Sequence, residues 1–117
     1  MLPLTPAELE IMHVVWAHPG VTVAEVVTTL ADGRAYTTVL TLLRILEQKG
    51  HVRAEKDGRR HVYHAVLGRQ AYEAVAVRSV VEGVFAGDAT RLVRALVDTG
   101  GLAPAERDAL RKLLEEG

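Results

Sequence analysis

A single strand–turn–strand pattern interrupts a chain of 117 residues that otherwise has the periodicity of helices. In residues 51–66, apolar and polar side chains alternate on both sides of Asp57-Gly58, a pair typical of tight hairpin turns. The pattern predicts two strands of about five residues joined at this pair.

Three helices are predicted before the hairpin. The first two begin with the motifs TPAE at residues 5–8 and TVAE at residues 22–25. In each motif a threonine caps the helix, and a glutamate three residues later reaches back to the cap. The third helix runs from about residue 36 to residue 49 and stops at Gly50, and its start carries no capping side chain.

Three more helices are predicted after the hairpin. They cover residues 69–85, residues 91–97 and a segment that begins at Pro104. Asp88 is expected to cap the second of them. The order helix, short helix, helix and hairpin is that of a winged helix-turn-helix.

The predicted fold class is therefore mainly α with a small β-hairpin. A winged helix domain is expected to occupy residues 1–66, and a helical dimerisation domain is expected to occupy residues 67–117.

The third helix has two faces of different chemistry. Its apolar stripe consists of Val39, Leu42, Leu43 and Leu46, and the opposite face, which we call the polar edge, consists of Thr37, Thr41, Arg44 and Gln48. A helix that lies in a major groove needs donors and acceptors for base edges and no acid that repels phosphate. The polar edge meets both conditions. The alternative is an ordinary solvated face, which more often mixes Glu and Lys.

Positive charge is concentrated in the middle of the chain. The net charge is −1 overall, but −4 in residues 1–33, +4 in residues 34–64 and −1 in residues 65–117. Arg59 and Arg60 stand at the hairpin tip, where they suit contact with phosphate or a minor groove. The alternative is a charged turn that only keeps the hairpin soluble.

These patterns predict two sets of binding residues. The residues predicted to contact duplex DNA are Arg34, Tyr36, Thr37, Thr38, Thr41, Arg44, Gln48, Arg59 and Arg60. The last three helices are too apolar for their length, which favours a second copy of the chain as their partner over packing on the winged helix domain. The predicted dimerisation residues are Tyr72, Val80, Val84, Leu92, Leu96, Leu110, Leu113 and Leu114.

Other classes of protein find little support in the sequence. The chain has no cysteine, and neither the histidines nor the acids form a pattern typical of a metal site, so we expect no metal and no cofactor. No motif of nucleophilic or phosphate-transfer catalysis is present, and we expect no enzyme. The N-terminus is not that of a signal peptide, and no apolar run is long enough to enter a membrane, so a cytoplasmic protein is expected. A winged helix module that binds only proteins is the alternative function, and it requires an acidic partner for the hairpin tip.

Four segments resemble the penicillinase and methicillin-resistance repressors of the BlaI/MecI type, with their copper-responsive CopY-type relatives. The segment LTPAELEIMHVVW resembles the family's first-helix motif, with Glu10, Met12 and Trp16 in matching places. The segment AYTTVLTLLRILEQKG resembles its recognition helix, DGRRHVYHAV its wing, and LVRALVDTGGLAPAERDALRKLL its dimerisation tail. The resemblance covers nearly the whole chain.

The resemblance implies a dimeric transcriptional repressor of resistance genes that binds a palindromic operator with TACA/TGTA-like half-sites. It also implies release through a membrane-bound sensor metalloprotease that detects β-lactams. The family's cleaved Asn–Phe bond falls here on Ala95-Leu96, a different pair. The cysteine motif of the copper branch is absent, so the resemblance gives no copper-thiolate mechanism of release.

Overall fold

The computed structural model describes residues 4–117 of the chain. Its elements are α1 (Pro6–Ala17), α2 (Val23–Leu30), α3 (Tyr36–Gln48), β1 (Val52–Asp57), β2 (Arg60–Ala65), α4 (Arg69–Glu82), α5 (Ala89–Asp98) and α6 (Pro104–Glu116). The predicted class, mainly α with one small hairpin, is confirmed. The contacts separate a first compact unit that ends at Tyr72 from a second unit of residues 73–117. Since α4 begins in the first unit and continues into the second, the predicted domain boundary after residue 66 stays a prediction.

The first two helices begin as the sequence predicts. The hydroxyl of Thr5 accepts from the backbone N–H of Glu8 at 3.2 Å, and the Glu8 carboxylate accepts from the N–H of Thr5 at 2.9 Å. Thr22 and Glu25 repeat this pair of hydrogen bonds at 3.2 and 3.0 Å. Each capping box satisfies two backbone donors that a helix start leaves unpaired, so both starts are fixed by local sequence.

The core of the first unit lies where α1, α2, α3 and the hairpin meet. Its fully buried side chains come from all three helices and include Ile11, Val26 and Leu43. Tyr63 of β2 is 3 % exposed and closes this core from the side of the hairpin. The core thereby fixes α3 with its leucines directed inward.

The hairpin pairs β1 with β2, and its tight loop is Gly58-Arg59. Asp57 lies opposite Arg60, so the observed loop lies one residue further along the chain than the predicted turn at Asp57-Gly58. Gly58 has φ 65°, a left-handed conformation that glycine adopts without strain at the first central position of such loops.

A third segment joins the hairpin at its root. The N–H of Gly20 donates to the carbonyl of Tyr63 at 3.1 Å, and the N–H of Tyr63 donates to the carbonyl of Val21 at 2.8 Å. These two bonds form a short antiparallel bridge between the α1–α2 connection and β2. The hairpin is therefore attached to the helices through its backbone as well as through Tyr63.

The helices of the second unit depart slightly from the prediction. Helix α4 ends at Glu82 rather than residue 85, and residues 83–87 form a turn with left-handed conformations at Ala86 (φ 50°) and Gly87 (φ 85°). Asp88 caps α5 as predicted, accepting from the N–H of Arg91 at 3.2 Å, so α5 starts two residues earlier than expected. No helix among residues 4–117 is long and apolar enough to cross a membrane.

Candidate nucleic-acid interface

The polar edge of α3 is open to solvent along its length. Its four residues are all exposed, whereas Val39, Leu43 and Leu46 on the opposite side have no exposed surface. Leu42, the fourth member of the predicted stripe, is partly buried against the same core. Tyr36, which is 53 % exposed, and Thr38 extend the uncovered surface at the start of the helix. None of the described residues of the first unit covers Tyr36, Thr38 or the polar edge.

The hydroxyl of Thr41 has a defined orientation. It donates to the backbone carbonyl of Thr37, one turn earlier, at 2.9 Å. Because its proton is used within the helix, the hydroxyl offers its lone pairs outward and suits a base-edge donor such as an adenine or cytosine amino group. Its methyl group can contact the methyl group of thymine.

A groove of about 670 Å³ separates α3 from the hairpin. Arg44 enters it from α3, and Arg59 and Arg60 enter it from the hairpin tip. The first turn of α2 also lines it. The groove thus brings together arginines that are 15 residues apart in the sequence, in a place that suits a phosphate backbone.

The arginines of this groove keep their charge available. Among residues 4–117, Arg44 and Arg59 form no ion pair. Arg60 pairs with Asp57 at 3.0 Å, but both side chains are more than 60 % exposed. An ion pair in that setting is weak and exchanges readily for a phosphate.

Arg34 is placed differently from the other predicted contacts. It pairs with Glu10 of α1 and with Asp32, whose carboxylate lies 3.0 Å from Nε, and its side chain is only 26 % exposed. The structure therefore does not bring Arg34 to the polar edge.

Two residues that line the groove, Glu47 and Tyr63, are not among the residues predicted from the sequence. Glu47 lies one turn after Arg44 and lines the same groove, so α3 is not free of acids on the side of the hairpin. Burial raises the pKa of Tyr63, and the negative charge of Glu47 raises it further. The positions of Arg44 and Glu47 on one helical wheel, three residues apart, could have revealed Glu47.

The buried carboxylate of Glu8 supports α3 from behind. It is 2 % exposed and accepts from Nζ of Lys49, just after α3, at 2.7 and 3.0 Å. Burial by itself raises the pKa of Glu8, but the hydrogen bonds from Lys49 and Thr5 outweigh it, and the pKa lies below its ordinary value of 4.5.

Tyr72, a predicted dimerisation residue, belongs to the first unit. Its ring lies 5.3 Å from the ring of Trp16 and 6.0 Å from that of the buried His51. The indole N–H of Trp16 donates to the carbonyl of Leu67 at 3.1 Å and holds the segment before α4 in place. Tyr72 thus has partners within its own chain.

The second unit exposes much of its apolar surface. None of the described residues of α4, α5 and α6 is fully buried. The large apolar side chains that are at least 38 % exposed in this unit are Val75, Val77, Val80, Val84, Val93, Leu96, Val97, Leu113 and Leu114. Leu92 and Leu110, also predicted for dimerisation, are half-buried.

No group of residues in the described part of the chain has the composition of a metal site. His61 and His64 lie on opposite faces of β2, as the alternation of a strand requires. His64 instead pairs with Glu55 of β1, with Nε2 lying 3.2 Å from the carboxylate.

Comparison with known proteins gives the same assignment as the geometry. The family model described as penicillinase repressor matches residues 4–116. The penicillinase repressor of Bacillus licheniformis is 29% identical over 115 residues, which are 97% of this chain and 90% of that protein.

Solved structures resemble the chain as well. The monomeric form of Bacillus licheniformis BlaI in complex with the blaP half-operator is 32% identical, with a TM-score of 0.51. The match covers 61% of this chain and 89% of that one. The regulator MepR of Staphylococcus aureus has a TM-score of 0.55 over 97% of this chain and 76% of its own, but at 21% identity it shows the winged helix fold alone.

A match along nearly the whole chain and the exposed edge of α3 lead to one conclusion. The chain belongs to the penicillinase repressor family and is a DNA-binding transcriptional repressor rather than an enzyme.

Proposed function

We propose that two copies of the chain bind a palindromic operator, with α3 of each copy in a major groove and each hairpin tip on the adjoining backbone. The observation that carries the proposal is the uncovered polar edge of α3 beside a groove with three arginines. A fixed helix with inward leucines and outward hydrogen-bonding groups is what direct readout of base edges requires.

Each residue of the polar edge has a chemical role in this proposal. Arg44 suits the O6 and N7 acceptors of guanine, and Gln48 suits the N6 and N7 atoms of adenine. Thr41 accepts from an amino group, as the orientation of its hydroxyl favours. Tyr36, Thr37 and Thr38, at the start of α3, are exposed and are proposed to contact bases or phosphates there.

Arg59 and Arg60 are proposed to bind phosphate or enter the minor groove. Their separation from α3 by an open groove leaves room for one strand of the backbone. Binding of this kind releases counterions, so affinity is expected to fall steeply as salt increases.

Dimerisation through residues 73–117 completes the proposal. A unit without a buried side chain cannot be stabilised by its own core, and apolar surface of this extent typically marks a protein interface. The residues proposed for the interface are Val80, Val84, Leu92, Leu96, Leu110, Leu113 and Leu114. Two joined recognition helices then match two half-sites.

Release by a membrane-bound sensor metalloprotease at Ala95-Leu96 is the regulatory part of the proposal. This bond lies inside α5, and the carbonyls of both residues accept hydrogen bonds, from Thr99 at 3.0 Å and from Gly101 at 2.9 Å. Cleavage therefore requires α5 to unwind locally. A fragment that begins at Leu96, found by mass spectrometry in cells with induced target genes, supports this part, and an intact chain in such cells contradicts it.

Selection of duplexes from a random pool tests the function directly. The full chain is expected to enrich a palindrome, and the enriched duplex then serves in a gel-shift titration. Replacing Thr41→Ala together with Arg44→Ala should weaken binding about 100-fold, since each good base contact contributes about 1–3 kcal/mol. Thr90→Ala with Arg107→Ala, an exposed pair of the second unit, is the matched control and should bind normally. Enrichment of no sequence would contradict the proposal.

A further inference from the structure

Two basic residues flank the recognition helix, and both reach back to α1. Arg34 precedes α3 by two residues and pairs with Glu10. Lys49 follows α3 directly and pairs with Glu8 at 2.7 Å. We call these four residues the α1 clamp.

Both basic side chains of the α1 clamp form ion pairs within the protein. Each has a side chain that is about one-quarter exposed or less, 26 % for Arg34 and 22 % for Lys49. Arg34 meets a second carboxylate as well, since Nε lies 3.0 Å from Asp32. Their charge is therefore largely neutralised inside the fold, unlike that of Arg44 and Arg59.

The start of α3 depends on this attachment. Ala35 occupies the capping position and offers no side-chain hydrogen bond, whereas α1 and α2 both begin with capping boxes. The connection before α3 is instead fixed by Asp32, which accepts from the N–H of Arg34 at 3.1 Å, and by the ion pair of Arg34 with Glu10.

We propose that Arg34 is a positioning residue, which sets the orientation of the recognition helix through Glu10 rather than by touching DNA. This role rests on the proposed insertion of α3 into a major groove. Lys49 and Glu8 fix the other end of the helix in the same way, so that the polar edge reaches the base edges at one defined rotation. A displacement of α3 by less than the length of one hydrogen bond is enough to lose base contacts. It leaves the phosphate contacts of the hairpin tip in place.

The substitution Glu10→Gln gives the sharpest test, because positioning by Arg34 and phosphate contact by Arg34 predict opposite changes in operator affinity. Glu10 is 52 % exposed, so its loss is expected to leave the core intact. If Arg34 positions α3, the variant binds the selected operator about 10-fold more weakly, although the protein has lost a negative charge. If Arg34 contacts phosphate, the variant releases an arginine toward DNA and binds more tightly. Glu116→Gln, an exposed acid near the end of α6, is the charge-matched control and should leave affinity unchanged.

Salt titrations of Arg34→Gln and Arg59→Gln separate a positioning role from a phosphate contact. Arg34→Gln should lower affinity for the operator but not for a random duplex, with the same slope of log affinity against log salt as the wild type. Arg59→Gln is the comparison, because the side chain of Arg59 is proposed to bind phosphate. Loss of a phosphate contact instead weakens binding to both duplexes and reduces the slope by about 1. That result for Arg34→Gln would overturn the proposal.

The double variant Arg34→Gln with Glu10→Gln completes the test. Positioning through Glu10 predicts that it binds the operator no more weakly than Arg34→Gln alone, since both changes break one interaction. Additive losses would overturn it. Circular dichroism and thermal unfolding establish that each variant is folded at the assay temperature. If a variant is not folded, Arg34→Lys, which keeps a cation for Glu10, replaces it.

Failure of the proposed function has a different signature. In that case the wild type itself shows no preference for any duplex, and Arg59→Gln has no effect. Tight operator binding by the wild type with no effect of Glu10→Gln overturns the positioning role alone.

Discussion

Glu8 performs two tasks with one side chain. It closes the capping box of α1 with Thr5 and also holds Lys49 at the end of α3. The capping task follows from a motif of four adjacent residues, and the sequence predicts it. The ion pair joins residues 41 apart and depends on how α1 packs against α3, so local patterns cannot reveal it. Arg34 illustrates the same limit, since its partner Glu10 is 24 residues away.

Replacing Glu8→Gln should lower the free energy of unfolding by about 3 kcal/mol at neutral pH. This is the lower end of the cost of breaking a buried ion pair, as Lys49 retains some contact with water. Urea unfolding followed by circular dichroism measures the loss. Glu25→Gln removes the equivalent carboxylate from an exposed capping box without a lysine, and it should cost clearly less. Equal losses in the two variants would show that the buried pair contributes nothing.

The free energy of unfolding at acidic pH should also show the contribution of the Glu8 carboxylate. The pKa of Glu8 in the folded chain lies below 4.5, its ordinary value. A lowered pKa stabilises the fold fully above that ordinary value, and the contribution disappears as the pH falls through the folded pKa. The difference in stability between the wild type and Glu8→Gln should therefore shrink below pH 4.5. A difference that stays constant down to pH 2 would contradict the assignment.

At the scale of the elements, local signals predict most of the fold. Capping boxes, the glycine after α3 and alternation in the hairpin place the first five elements within a few residues. The predicted position of the hairpin loop was wrong by one residue, because Asp57 pairs with Arg60 in the sheet. The end of α4 was wrong because its apolar pattern continues past Glu82 into a turn.

Helix α2 ends with a strained residue. Ala31 has φ 50°, a left-handed conformation that costs a residue with a Cβ atom about 1–2 kcal/mol. Ala31→Gly should therefore stabilise the chain by about 1 kcal/mol, as measured by thermal or urea unfolding. Ala24→Gly, within the same helix and also exposed, should destabilise it by about 1 kcal/mol. The opposite signs of the two variants are the test, and a loss of stability in both would refute it.

At the scale of the whole molecule, the sequence distinguishes a unit with its own core from one that lacks it. The apolar excess of the last three helices was visible in the sequence. The placement of Tyr72 against Trp16 was not, because an aromatic residue near the start of a helix fits either unit by pattern alone. Residues of the polar edge were predictable as a set, since a helical wheel gives their common face.

Introducing charge into the second unit should separate the proposed dimer. Leu113 and Leu114 are 64 % and 74 % exposed, so glutamates there cost the single chain little. Leu113→Glu with Leu114→Glu should shift the sedimentation mass from that of a dimer to that of one chain. It should also weaken binding to a full palindrome far more than to a half-site. Lys112→Glu, exposed on the same helix, is the control for added negative charge and should remain a dimer.

The short bridge from Gly20 and Val21 to Tyr63 limits how the hairpin can move in the proposed complex with DNA. The two backbone hydrogen bonds of this bridge prevent the hairpin from rotating as a rigid body relative to the helices. Adjustment to a wider or narrower helix is then left to the outermost loop and to the long, jointed side chains of Arg59 and Arg60. That loop can change in sequence and alter the range of duplexes accepted, while the framework beneath it keeps its shape.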